Sequence, residues 1–190
     1  MSQQGTDTTS DYLNFDATLN KAMEMLKSDD KRHIIAFLTI VGINSGLRIS
    51  DILRLTHSDI KSDVIVINEK KTSKKRIIPV NDNIKEAYKL FAKKVGTATD
   101  EEPLFISQKG GVISARQVNR LLQANFSVKG KNVSSHSLRK TFGRRIWSND
   151  GESERSLIQL SQIFNHVSSN ITRTYLGIKQ QELNNIYMSL

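Results

Sequence analysis

Two β-branched runs, Val64-Ile65-Val66-Ile67 and Arg76-Ile77-Ile78-Pro79-Val80, stand about ten residues apart in a chain otherwise patterned at helical spacing. A strand-period run does not settle in a helix, nor a helix-period run in a strand. The change of period therefore demands an α+β fold. The linker between the runs, Glu69 to Lys75, is polar and basic and suits a hairpin. A short extended piece near Asp59-Ile60 would add a strand. The expected fold is a mainly α-helical α+β domain with a small, about three-stranded antiparallel sheet.

The helical segments follow from the positions of apolar residues. Leu19, Ala22, Met23 and Leu26 repeat at helical spacing over 16–27, and 31–43 is apolar enough to be a buried core helix. Ser28, Asp29 and Asp30 are placed to cap that second helix. Asn44-Ser45-Gly46 interrupts the pattern, which resumes over 48–55 with Arg48 and Asp51 three apart on one face. Further helices are expected over 84–95, from a Ser114/Gln117 capping box to Phe126, over 138–147, over 156–164, and from near Ile171 through Tyr175. Pro103 to Ile106 reads as a short extended piece. Residues 1–14 read as a flexible tail or truncated linker and 15–178 as one domain. In 179–190, Leu183, Ile186 and Tyr187 are helically spaced, but the segment is too short to fold alone.

Charge narrows the partner. Lys and Arg number 28 against 19 Asp and Glu, a net charge of +9 that attracts polyanions, nucleic acid first and anionic membrane second. Charge alone is equally consistent with a generically basic soluble protein. With no cysteine, disulfides and thiolate metal sites are excluded. No apolar run approaches the roughly 18–20 residues of a membrane span, and the N-terminus lacks the pattern of a signal peptide, so a cytoplasmic location is expected. The acidic runs Asp29-Asp30 and Asp100-Glu101-Glu102 read as caps and solvated turns, and Lys109-Gly110-Gly111 as a turn, not a nucleotide loop. Chemistry on this chain would come from side chains, with no metal and no cofactor.

Phosphodiester transfer needs cations on the non-bridging oxygens and a proton for the leaving oxygen. Arginine suits the first task because its planar fork bonds two oxygens at once; lysine and histidine suit the second. Arg48, Lys71, His136, Arg139 and His166 occur in that order, and Tyr175 follows His166 by nine residues. Each has a plainer reading when taken alone. Arg48 and Asp51 could be a surface pair, Lys71 part of a charged hairpin tip, His136 a helix cap, His166 a turn residue and Tyr175 a core aromatic.

Taken together, these pieces resemble the catalytic domain of tyrosine recombinases, the phage-integrase family. Gly46-Leu47-Arg48-Ile49-Ser50-Asp51 is similar to the family's first arginine box, and Lys71 with Ile77-Ile78-Pro79 to its lysine-bearing hairpin. His136-Ser137-Leu138-Arg139-Lys140-Thr141-Phe142 is similar to its His-x-Leu-Arg box. Phe164-Asn165-His166 stands where the family reads Leu-Gly-His, and Arg173-Thr174-Tyr175 where it ends on the nucleophile. The asparagine can take the left-handed turn of the glycine it replaces.

The resemblance implies a catalytic domain over 15–178 that carries out DNA recombination or DNA integration, as phage integrases and other mobile-element recombinases do. Arg48 and Arg139 would hold the phosphate, His136 and His166 would hydrogen-bond it, and Lys71 would protonate the 5′ oxygen. Tyr175 would attack to form a 3′-phosphotyrosyl link, its ionisation eased by the cations, and Asp51 would buttress the site. Lys70, Lys74, Lys75, Arg76 and Lys140 are expected to contact double-stranded DNA. A homo-oligomer on DNA is implied, tetrameric in the family's synapse, with the 179–190 tail docking on a neighbour or folding back. The same chemistry would serve a type IB topoisomerase-like relaxing enzyme, and the fold without it a silent DNA-binding module. Family members also carry a helical domain of about 90 residues before the catalytic one, against some 15 residues here.

Overall fold

The structure, a computed structural model, describes residues 10–28, 31–68, 75–96 and 99–189, the side chains of 179–183 excepted. Its elements are α1 (Phe15–Lys27), α2 (His33–Ser45), α3 (Ile49–Ile52), α4 (His57–Lys61), β1 (Val64–Asn68), β2 (Lys75–Pro79), α5 (Asp82–Val95), α6 (Ala115–Phe126), α7 (Ser135–Asn149), α8 (Glu154–Phe164), α9 (Ser169–Tyr175) and α10 (Ile178–Met188).

The most apolar segment of the sequence becomes the centre. In α2 every residue from Ile35 to Ile43 is buried, and the helix packs against α1, α5 and α7. A helix apolar on all sides is stable only when enclosed on all sides. Phe37 is stacked on Phe91 of α5 at 4.6 Å between ring centroids and lies 5.9 Å from Phe105. Gly46, in the left-handed conformation (φ 60°), ends α2 and turns the chain into Leu47 and Arg48.

A second, smaller core lies beyond α7. Trp147, Leu157, Leu160, Phe164, Leu176 and Ile178 form it, with Phe142 and Tyr175 against its edge. Gly143 admits this layer: a Cβ there would stand 2.7 Å from Leu176 Cδ2 and 3.0 Å from Phe164 Cζ. The tyrosine segment thus docks on α7 through a close approach that any larger residue would obstruct.

Among the described residues the sheet has two strands, antiparallel, with Ile65 opposite Ile78 and both buried. The strand expected near Asp59-Ile60 is instead the helix α4. Asp59 turns back to accept hydrogen bonds from the Thr56 amide (2.9 Å) and hydroxyl (3.1 Å), closing a helical turn. The expected cap of α2 is also corrected. Its N-cap is Arg32 with no side-chain bond, while the Ser28 amide ends α1 on the Glu24 carbonyl at 2.9 Å. Asp29 and Asp30 lie outside the described residues. The capping box at Ser114 and Gln117 opens α6 as its spacing requires.

Gly143→Ala is expected to lower stability by about 1–3 kcal/mol, because the added methyl must push Leu176 and Phe164 from α7. Gly111→Ala, with open space around the glycine, should change it by no more than about 0.5 kcal/mol. Urea unfolding of the two variants makes the comparison.

Candidate active site

Arg48 leaves the turn after α2 at the position that caps α3, and Arg139 lies one turn into α7. Packing of α2 on α7 brings these distant points of the chain together. Arg48 Nη2 donates to the Phe164 carbonyl at 3.2 Å, and Arg139 Nη2 donates to the same oxygen at 3.0 Å. Arg139 Nη1 also donates to the Gly46 carbonyl, and its guanidinium lies 4.3 Å from the centre of the Phe164 ring. Phe164 ends α8, so its carbonyl is one that the helix leaves unbonded, at the negative end of the helix dipole. Two arginines answer it.

Asn165 makes that aim possible. Its backbone is left-handed (φ 54°, ψ 47°), the conformation expected where the family has glycine. The chain then reverses, and the His166 amide bonds the Ser161 carbonyl at 2.8 Å. The His166 ring pairs through Nδ1 with the Thr172 hydroxyl at 2.9 Å and stands edge-on to Tyr175, with 5.3 Å between centroids. Tyr175 is also edge-on to Phe164 at 5.6 Å. Its hydroxyl is buried, with no hydrogen-bond partner among the described residues.

Between the start of α3 and the start of α7 is a cavity of about 200 Å³, lined by Leu47, Arg48, Ile49, Ser50, Ser135, His136 and Arg139. His136 lies exposed at its mouth, in the first turn of α7. Asp51 is buried one turn beyond Arg48, 1% exposed. Arg48, His136, Arg139, His166 and Tyr175 are thus gathered in one place. Lys70, Lys71 and Lys74 lie outside the described residues; Lys75 and Arg76 open β2, the first exposed and the second partly so. Lys140, expected to contact DNA, is buried. Its ammonium sits 5.2 Å from the centre of the Tyr175 ring because α7 turns that face toward the second core.

Loss of hydration and the nearby Arg139 and Arg48 charges lower the pKa of His166 to about 4, so the ring is neutral at physiological pH. The pKa of His136 is lowered by the same kind of desolvation, then by Arg139, Lys140 and Arg48. Burial raises the pKa of Tyr175, and the Arg139 and Arg48 charges pull it the other way, as expected of cations that ease its ionisation, without overcoming the rise. Burial likewise lowers the pKa of Lys140.

A larger, open groove of about 500 Å³ lies on α6, lined by Arg116, Gln117, Asn119, Arg120 and Gln123. The Asn119 side chain accepts from the Ser135 amide at 2.9 Å, which ties the groove to the head of α7. The sequence reading passed over this row, although an Arg/Gln/Asn face spaced along one helix was there to be seen. Among the described residues no three His, Asp or Glu are grouped as a metal site would require, and no helix is long and apolar enough to cross a membrane.

The model of the phage integrase family matches residues 15–182. The chain is 34% identical over 165 residues to a probable integrase/recombinase, YoeC, of Bacillus subtilis, covering 85% of this chain and 86% of that protein. It is 30% identical over 155 residues to the tyrosine recombinase XerC of Thermodesulfovibrio yellowstonii, covering 76% of this chain but only 50% of XerC. Among solved structures, it superposes on XerA recombinase with a TM-score of 0.65 at 21% identity, over 98% of this chain and 66% of that one. A lambda integrase dimer bound to a core site gives the same score at 18% identity, over 93% and 62%.

Because His166 is held neutral in the fold but protonates near 6.5 once unfolded, the unfolded state takes up more protons as pH falls from about 6.5 to about 4. Stability is expected to fall across that window. Urea midpoints against pH should show a shallower fall for His166→Gln than for the unaltered chain.

Proposed function

The chain belongs to the phage integrase family, and from that premise we propose that it catalyses site-specific DNA recombination by breaking and rejoining strands through Tyr175. The observation that carries the reading is the convergence of both arginines and His166 on the turn that presents the tyrosine. The scissile phosphate would enter the cavity between α3 and α7, where Arg48 and Arg139 stabilise charge on its non-bridging oxygens and His136 hydrogen-bonds it. The Tyr175 oxygen attacks phosphorus and the bond to the 5′ oxygen breaks, leaving a 3′-phosphotyrosyl link and a 5′ hydroxyl. The phenolic proton leaves by way of neutral His166, and Lys71, in the segment that joins β1 to β2, protonates the departing oxygen. A 5′ hydroxyl from a second strand reverses the step, with no metal and no nucleotide consumed.

The resting tyrosine is protonated and enclosed, its hydroxyl unpaired. A buried hydroxyl without a partner carries a cost of about 1–3 kcal/mol, which an incoming phosphate oxygen relieves. Catalysis therefore begins with a shift of α9 when DNA arrives. Lys70, Lys74, Lys75 and Arg76 would track the backbone beside the hairpin, and the groove on α6 would add Arg116 and Arg120 to the same charged face. Lys140 would act beside the tyrosine and not on open DNA.

The relatives set the wider frame. The chain spans half the length of the XerC relative that it matches. The solved lambda integrase is a dimer on its core site; here too we propose double-stranded DNA as partner, assembly of several copies on it, and the cytoplasm as the place of action. Residues 15–178 form the catalytic unit. In α10 the exposed Ile186, Tyr187 and Met188 make an apolar end suited to a neighbouring copy.

The test is a nicked DNA substrate that traps the covalent intermediate. The unaltered chain should form an adduct in EDTA, Tyr175→Phe none, and Arg139→Ala less by about 10²-fold or more. An adduct formed by Tyr175→Phe would remove Tyr175 from the mechanism. Relaxation of supercoiled plasmid without site preference would favour the topoisomerase-like reading.

A further inference from the structure

Arg144 lies on α7 and has no part in the chemistry assigned above. Its Nε donates to the Leu176 carbonyl at 2.8 Å. Leu176 follows Tyr175 directly and caps the C-terminal end of α9. The same guanidinium lies 4.4 Å from the centre of the Tyr12 ring and 5.3 Å from that of Trp147. One side chain thus touches two distant parts of the chain: the residue after the proposed nucleophile, and the segment that precedes α1.

That segment, residues 10–14, is a strap fixed to the approach to α7. The Asp11 amide bonds the Asn132 carbonyl at 2.8 Å, and the Asn132 amide returns to the Asp11 carboxylate at 2.7 Å. Lys131 donates to the Tyr12 carbonyl at 3.0 Å and stands 4.7 Å from the centre of its ring. The Leu13 amide reaches the Thr141 hydroxyl of α7 at 2.8 Å. Tyr12 is therefore held in register with α7, its ring against Arg144.

The helix at the other end needs such a hold. With seven residues, α9 is far below the length at which a helix sustains itself. Tyr175 occupies its last turn, where carbonyls lack partners and helices fray first. A guanidinium bonded to the Leu176 carbonyl supplies both a donor and a positive charge at the negative end of the dipole. Glu154 pairs with Arg173 and accepts from Ser169 at 2.9 Å, fixing the other side of α9 to α8. Between them, Arg144 is the hold nearest the tyrosine.

We propose that Arg144 is a positioning residue for Tyr175, and that the strap of residues 10–14 sets its grip through the Tyr12 ring. The proposal rests on the reading of Tyr175 as nucleophile. It makes the strap a route by which events at the N-terminal side of the domain reach the end of α9. Stacking on an aromatic ring restricts the guanidinium to the plane in which its Nε faces Leu176; without the ring the arginine keeps its charge but not its direction.

Two measurements decide it. The first is amide hydrogen exchange of the DNA-free chain, read at Leu176 and Gly177. Arg144→Gln should speed exchange there by about tenfold or more. Tyr12→Leu should act in the same direction, and Tyr12→Phe, which keeps the ring, should leave it unchanged. Protection retained through α2 shows an intact fold. Should Arg144→Gln lose that too, Tyr12→Leu decides alone, because it leaves the guanidinium in place. The second is single-turnover adduct formation on nicked DNA, where Arg144→Gln should lose about tenfold or more in rate at saturating DNA. Its DNA affinity should stay within about twofold, and adding Tyr12→Leu should cost no more than Arg144→Gln alone.

Unchanged exchange at Leu176 and Gly177 would overturn the proposal, as would additive rate losses from the two sites. A rate loss explained wholly by weaker DNA binding would make Arg144 a phosphate contact instead. Absence of any adduct from the unaltered chain would refute the nucleophile assignment, while the exchange result would still decide the strap's hold on α9.

Discussion

One carbonyl oxygen holds the site together. The Phe164 oxygen accepts from Arg48 at 3.2 Å and from Arg139 at 3.0 Å, two arginines that stand far apart in the sequence. Without an anionic or dipolar partner, two guanidinium groups this close would repel each other with little water to screen them. The end of α8 supplies that partner through unbonded peptide dipoles. Because the same turn carries His166 and leads to Tyr175, the bonds that settle the arginines also fix the distance from cations to tyrosine. Asn165 is the hinge of this arrangement, since only its left-handed backbone lets Phe164 face the arginines and His166 face the tyrosine ring.

The electrostatics of the resting site follow from the same geometry. Cations that would serve a phosphate are closely packed and partly stripped of water, so the histidines beside them stay neutral and the tyrosine stays protonated. A bound phosphodiester would reverse this balance, adding the negative charge that the site was shaped to receive. The tyrosine belongs to a small second core joined to the larger one mainly across α7.

Much of this was legible in the sequence, and the failures have physical causes. Apolar density gave α2, because a helix enclosed on all sides is apolar all round, and the β-branched runs gave the strand pair. The left-handed Asn165 followed from the position where a glycine was expected. Asp59-Ile60 misled because two residues carry no period, while the Thr56–Asp59 capping box that decides the helix lies just upstream. That Lys140 lies beside the Tyr175 ring was not legible, because charge alone says nothing of which way a helix face turns. The link from Tyr12 through Arg144 to Leu176 was beyond a reading by local pattern, because it is assembled only when residues more than a hundred positions apart in the chain meet across a helix.

The most direct measurement is the identity of the residue that carries DNA in the trapped intermediate. After nuclease digestion and trypsin cleavage, mass spectrometry of the adduct should find the nucleotide remnant on the peptide Thr174 to Lys179, attached at Tyr175. A remnant on Tyr187, Tyr88 or Tyr12, or on any residue other than tyrosine, would contradict the account of how this site is built.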